Sequence, residues 1–156
     1  DKELRPIMKG LHDLDLGDIP VFIVTINKTE SKDIVAFDNN WHGKMPQSGT
    51  IISIGYNKYL LFNNTRYGGG NVTNFDGFPF PVKMKIKCSD PELVADVQVV
   101  RELIDQVYQF SRMYWKSLRQ QNLPVTIKYP EMVAQIAPFF EDPGMPPFGK
   151  RNLWFL

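Results

Sequence analysis

Apolar residues change their spacing several times along this chain, and each change marks an expected element. Over residues 1 to 17, Leu4, Ile7, Met8 and Leu11 recur at helical spacing, which predicts an amphipathic helix closing at Gly10 or Gly17. Ile19 to Ile26 is a continuous apolar run rich in β-branched residues, the pattern of a strand covered on both faces of an α/β sheet. Lys32 to Asp38, Gly49 to Ile54 and Tyr56 to Phe62 predict further short strands, with a turn at Gly55-Tyr56-Asn57. From Val82 to Ile86 the alternation is strict. Val82, Met84 and Ile86 face a core, and Lys83 and Lys85 point the other way.

Ser89-Asp90-Pro91-Glu92 reads as a helix start. Asp90 is the cap, Pro91 suits the first turn, and Ser89 with Glu92 matches a capping box. The helix is expected to run to about Gln121, with Leu93, Val97, Val100, Ile104, Val107, Tyr114 and Leu118 on one side. Arg101, Arg112, Lys116 and Arg119 fall within roughly 60° of one another on a second side. Such a basic stripe contacts a nucleic-acid backbone, grips an acidic partner, or is simply solvated. The Tyr114-Trp115 pair is expected to pack against the protein rather than stack on bases. Val125-Thr126-Ile127 then reads as a short extended run. Pro130 opens a helix with Glu131 in its first turn, and that helix stops before Pro138.

At 156 residues, 43% hydrophobic and 13% aromatic, the chain is one globular domain or part of one. Its formal net charge is only +1, so nucleic-acid binding requires a local basic face rather than bulk charge. The single cysteine, Cys88, excludes an internal disulfide and fits a reducing, cytoplasmic setting. No apolar run reaches membrane-spanning length. The chain opens at Asp1 in mid-sequence style, as a piece of a longer protein would. His12 and His42 stand apart without partners at metal-ligand spacing, so zinc is not expected. Lys28, just past the first apolar run, fits either a phosphate contact or a solvated strand end. Arg66-Tyr67 precedes three glycines, and reads either as a phosphate contact beside a stacking ring or as an ordinary hairpin loop.

Several of these stretches together resemble the C-terminal end of the PIWI domain of Argonaute proteins, most closely the short prokaryotic Argonautes. The residues that carry the resemblance are Pro130, Ala134 and Gln135 in a Pro-x-x-x-Ala helix, and the tail Leu153-Trp154-Phe155-Leu156. Upstream, Met45-Pro46-Gln47-Ser48-Gly49-Thr50 is similar to the family's Pro-x-Gly-Thr stretch, and Val21 to Thr25 to the strand before it. The resemblance implies an α/β, RNase H-like fold, with residues 1–156 as the C-terminal part of the PIWI domain, a mixed sheet and a long C-terminal helix. It places Gln135 where the family carries its last metal ligand. A neutral amide is a weaker ligand for a hard cation than a carboxylate, so a nuclease-inactive PIWI is expected.

The resemblance further implies that the Leu156 α-carboxylate holds a magnesium ion at the 5′-phosphate of a guide strand. Phe140 stands near where some relatives carry an arginine towards that phosphate. Lys28, Arg66, Lys83, Lys85, Arg112, Lys116 and Arg119 become the expected nucleic-acid backbone contacts. The partners so implied are an RNA guide, a single-stranded DNA target and an effector subunit of TIR or sirtuin type with an Argonaute-associated domain. That subunit would degrade NAD in prokaryotic immunity. The residues themselves do not distinguish RNA from DNA. Two other readings stay open: an active slicer whose acids lie upstream, and a protein-interaction module whose basic helix grips an acidic partner.

Overall fold

The structure, a computed structural model, describes residues 2–27, 34–36, 46–63, 81–115 and 122–140. Four strands form one sheet: β1 (Phe22–Asn27), β2 (Thr50–Gly55), β3 (Lys58–Phe62) and β4 (Val82–Cys88), in the order β1-β4-β3-β2. Every pairing among them is antiparallel, which corrects the expected mixed sheet. β1 is therefore an outer strand of the described sheet, with Thr25 exposed and the rest half-buried, not a strand covered on both faces. Its continuous apolar run imitates a doubly covered strand, because Ile23 faces away from the core and is still apolar. Of the strand expected over Lys32 to Asp38, only residues 34–36 are described, and they form no strand. β2 and β3 meet at a tight turn in which Asn57 takes a left-handed backbone (φ 53). Asn57 also gives its carbonyl to the Ile86 N–H at 2.9 Å.

The alternation in β4 is realised as expected. Val82, Met84 and Ile86 are almost fully buried, whereas Lys85 is exposed and Lys83 and Lys87 are half-buried. The inward residues meet Leu61 from β3, and Val100, Ile104 and Val107 from a helix laid across the sheet. Those three positions lie one helical turn apart in succession, so they line a single stripe. Burying each aliphatic side chain contributes about 1.5–3 kcal/mol.

That covering layer is two helices, not the continuous one expected to Gln121. α2 (Pro91–Ala95) is capped by Asp90, whose Oδ1 accepts from the Glu92 N–H at 2.9 Å, with Pro91 at its start. No Ser89–Glu92 capping box forms: Ser89 Oγ instead accepts from the Val21 N–H at 3.0 Å, tying β1 to the start of α2. α3 (Val97–Phe110) begins anew because Asp96 is extended and its Oδ1 accepts from Gln98 and Val99 N–H. An aspartate that can cap competes with the helix that would run through it. α3 ends for a similar reason. The Ser111 hydroxyl donates to the Tyr108 carbonyl at 2.6 Å, and the Arg112 N–H turns to Gln109 at 2.9 Å. Residues 111–115 thus leave the helix, and Arg101 and Arg112 do not share one helical stripe.

α1 (Leu4–Asp13) is the expected N-terminal helix, running through Gly10. The final helix differs most from expectation. α4 (Val125–Ile136) begins five residues before Pro130. Pro124 is extended and offers its carbonyl to the Ile127 and Lys128 N–H groups, so the helix starts on it and overrides the strand preference of Val125-Thr126-Ile127. Pro130 therefore lies inside the helix, where its missing N–H leaves the Thr126 carbonyl without an intrahelical donor. Both residues are exposed, so water can take that bond. The α-helix stops at Ile136, before Pro138, as expected, and tightens into a 3-10 turn over Ala137–Phe139.

Candidate nucleic-acid interface

Residues directly opposed in a sheet point to the same face. On the side away from α3, the register sets Thr25 opposite Lys85 and Lys85 opposite Lys58. The neighbouring rows set Asn27 opposite Lys83, and Ile23 opposite Lys87. Four lysines therefore share one face, and none of the four strands contains an aspartate or glutamate. A depression of about 290 Å³ opens there, lined by Thr25, Asn27, Lys58, Lys83, Met84 and Lys85. The other half of this face, at Leu60 and Phe62, is buried and apolar.

Lys58 directly opposite Lys85 is an unfavourable pair, since like charges across a sheet destabilise it. Alternate lysines along β4 stand roughly 6.8 Å apart, within the roughly 8 Å over which charge is felt at physiological salt. Their fields add. Such a face attracts an extended anion with repeated charges, and a run of phosphates has that form.

A second set of polar contacts binds the far end of β3 to the helices. Asn63 is fully buried and donates from Nδ2 to the Asn122 carbonyl at 2.7 Å, just ahead of α4. The Asn63 carbonyl accepts from Ser48 Oγ at 3.1 Å, which accepts from the Tyr108 hydroxyl at 3.3 Å. Tyr108 in turn accepts from Arg112 Nη1 at 3.3 Å, and the guanidinium lies 5.5 Å from its ring centre. Gly49 belongs to this corner for a backbone reason: its φ of +92° disfavours a side chain, and its N–H meets the Phe62 carbonyl at 2.7 Å. Asn63→Ala is expected to cost about 0.5–1.5 kcal/mol, the net worth of one hydrogen bond, because the Asn122 carbonyl it releases belongs to an exposed residue that water can reach. Denaturant unfolding measures the loss, and faster amide exchange in α4 would place it.

Of the expected contact residues, the structure brings Lys83 and Lys85 together on the lysine face and sets Arg112 at the α3 end, exposed. Lys28, Arg66, Lys116, Arg119 and Leu156 lie outside the described residues. Gln135 is exposed near the end of α4. Among the described residues no group of three His, Cys, Asp or Glu side chains is placed to hold a metal. Lys58 and Lys87 complete the face, and sequence reading missed both. Lys87 continues the Lys83–Lys85 alternation by one more step and was there to be found. Lys58 joins only through the β3–β4 register.

The Tyr114–Trp115 expectation holds for one residue and fails for the other. Tyr114 packs on Tyr129, with ring centres 6.1 Å apart and planes tilted by 47°. Lys128 Nζ sits 3.8 Å from the Tyr114 ring centre. Burial lowers the Lys128 ammonium below the ordinary lysine range, while the negative face of the ring favours its charged form. Trp115, by contrast, is 81% exposed.

No family model matches the chain. Over 147 residues it is 31% identical to a Piwi protein of Archaeoglobus fulgidus, an alignment covering 89% of this chain and 34% of the relative. The chain thus spans about a third of the length of that relative. No helix among the described residues is long and apolar enough to cross a membrane. The similarity to the archaeal protein, running through nearly the whole chain, supports a domain of the PIWI/Argonaute type.

Proposed function

We propose that this domain is the C-terminal part of an RNase H-like PIWI domain that binds a guide strand and its paired target without cutting them. The observation that carries the reading is the lysine face. Lys58, Lys83, Lys85 and Lys87 project from strands that hold no acidic residue, in a chain similar to a Piwi protein. Lysines offer point charges to phosphate oxygens and read no bases, which suits recognition of any guide sequence. Arg112 adds a further cation at the end of α3.

The absence of cutting is argued from Gln135. In the family's arrangement two divalent metals need converging carboxylates to stabilise attacking and leaving oxygens. An amide at that position supplies a dipole in place of a charge. The Leu156 carboxylate and its magnesium remain part of the proposal, as does relay of target pairing to an NAD-degrading effector subunit in prokaryotic immunity. The test uses the intact protein, a guide and a labelled complementary strand, with magnesium or manganese present. Tight, salt-sensitive binding with an uncut target is the expected result. Cleavage at a fixed position would overturn the inactive assignment while leaving the binding reading intact.

A further inference from the structure

A tryptophan that is 81% exposed is unusual in its setting, because the backbone beneath it is tightly held. The Trp115 N–H donates to the Tyr129 hydroxyl at 3.2 Å. Tyr114, one residue earlier, lies against the Tyr129 ring, takes Lys128 Nζ on its face, and reaches Met132 Sδ with its hydroxyl at 3.9 Å. Residues 114–115 are thereby strapped to α4 through Lys128, Tyr129 and Met132, while the Trp115 side chain stays exposed. Arg112, three residues before Trp115, is held on the Tyr108 ring. A large exposed ring is thus carried on a fixed backbone, with one cation held on the ring of the residue before it and another, three residues earlier in the chain, held on Tyr108.

We infer that Trp115 is a stacking platform for one base of a single-stranded nucleic-acid segment, with Lys128 and Arg112 as the neighbouring cations for its phosphates. The inference rests on the nucleic-acid reading above and adds a site to it. Aromatic stacking is sequence-tolerant because every base has a π-face, and cations alongside the ring follow the backbone. Holding the backbone of residue 115 in advance lowers part of the ordering cost of binding. Three grooves lined by described residues do not include Trp115: two lie between β2 and α3, one of them lined by Ile51, Tyr59, Val100 and Ile104, and the third is the lysine depression. A flat ring suits a flat ligand. A base inside a continuous duplex is already stacked on both sides, so the site takes unpaired nucleotides: the guide before pairing, or target beyond the paired segment.

The experiment titrates the intact protein with a single-stranded oligothymidylate and with a fully paired duplex. Binding is followed by anisotropy and by tryptophan quenching, across a range of salt. Trp115→Ala is expected to weaken single-strand binding about 10-fold, with the salt slope unchanged because no phosphate contact is removed. Duplex binding should be little affected. Trp115→Phe, which keeps a ring, should retain most of the affinity while losing the quenching. Since the side chain is exposed, neither change should unfold the protein. Wild-type affinity in the alanine variant would overturn the platform, as would equal losses in the alanine and phenylalanine variants. Equal, Trp115-dependent binding of oligoglutamate would overturn the nucleotide assignment in favour of an acidic peptide. If the lysine-face variants lose binding and Trp115→Ala does not, the platform falls and the broader reading stands. If wild-type protein binds neither nucleic acid, both fall.

Discussion

Ile104→Ala is expected to remove about 2–5 kcal/mol of folding stability, the range for truncating a fully buried aliphatic side chain. Ile104 is 1% exposed and sits in the middle of the α3 stripe, between Val100 and Val107, over Val82, Met84 and Ile86. Domains of this size typically hold about 5–15 kcal/mol in all, so one truncation would take much of the margin. The neighbouring positions on β4 come from a regular sheet, and a rigid sheet collapses poorly into a cavity. Val97→Ala is the control. Val97 opens the same helix but is 80% exposed, and its truncation should change stability by about 0.5 kcal/mol or less. Denaturant midpoints at a common slope compare the two. A loss below about 1 kcal/mol for Ile104→Ala would mean that α3 does not form the core layer described.

The second large effect concerns binding. Lys58→Glu with Lys85→Glu reverses the central pair of the lysine face and should lower nucleic-acid affinity about 10- to 100-fold at physiological salt. The two positions oppose each other across β3 and β4, so the double change replaces one unfavourable like-charge pair with another. Fold stability is therefore little altered, and lost binding is not a symptom of unfolding. A single Lys58→Glu gives the opposite expectation for stability. It sets a carboxylate against Lys85 and should raise stability by up to about 1 kcal/mol while still weakening binding. That opposite movement separates the functional role of the pair from a structural one.

Where local pattern and tertiary structure agree, the sequence is readable. β4 is the clearest case, because period-two alternation of apolar and charged residues has one physical solution once one face is buried. The Asp90-Pro91 start of α2 is another, since the capping chemistry lies within three residues. The failures have specific causes. Asp96 sits in a window whose apolar residues keep helical spacing, and its side chain stops the helix by bonding the two N–H groups ahead of it. Ser111 ends α3 by taking a carbonyl that the next turn needs, a choice that pattern alone does not display. Val125-Thr126-Ile127 has strand composition, yet the Pro124 carbonyl begins a helix there.

The candidate interface was half legible for the same reason. Lys83 and Lys85 are visible in one strand. Lys58 belongs with them only because β3 pairs β4 in a register set across residues far apart in the chain. The exposure of Trp115 runs against its hydrophobicity, which predicts burial, and the contacts that hold its backbone and Tyr114 come from α4, far along the chain.

The central claim, that a polyanion backbone lies on the lysine face, is tested most directly by salt dependence. Affinity of the intact protein for a guide–target duplex should be measured from low to high salt, beside a variant with Lys58, Lys83, Lys85 and Lys87 all changed to Gln. Each phosphate contact contributes about 0.9 to the slope of log affinity against log salt, so loss of most of these contacts should flatten the slope by roughly 3. A variant that binds with the wild-type slope and affinity would contradict the assignment.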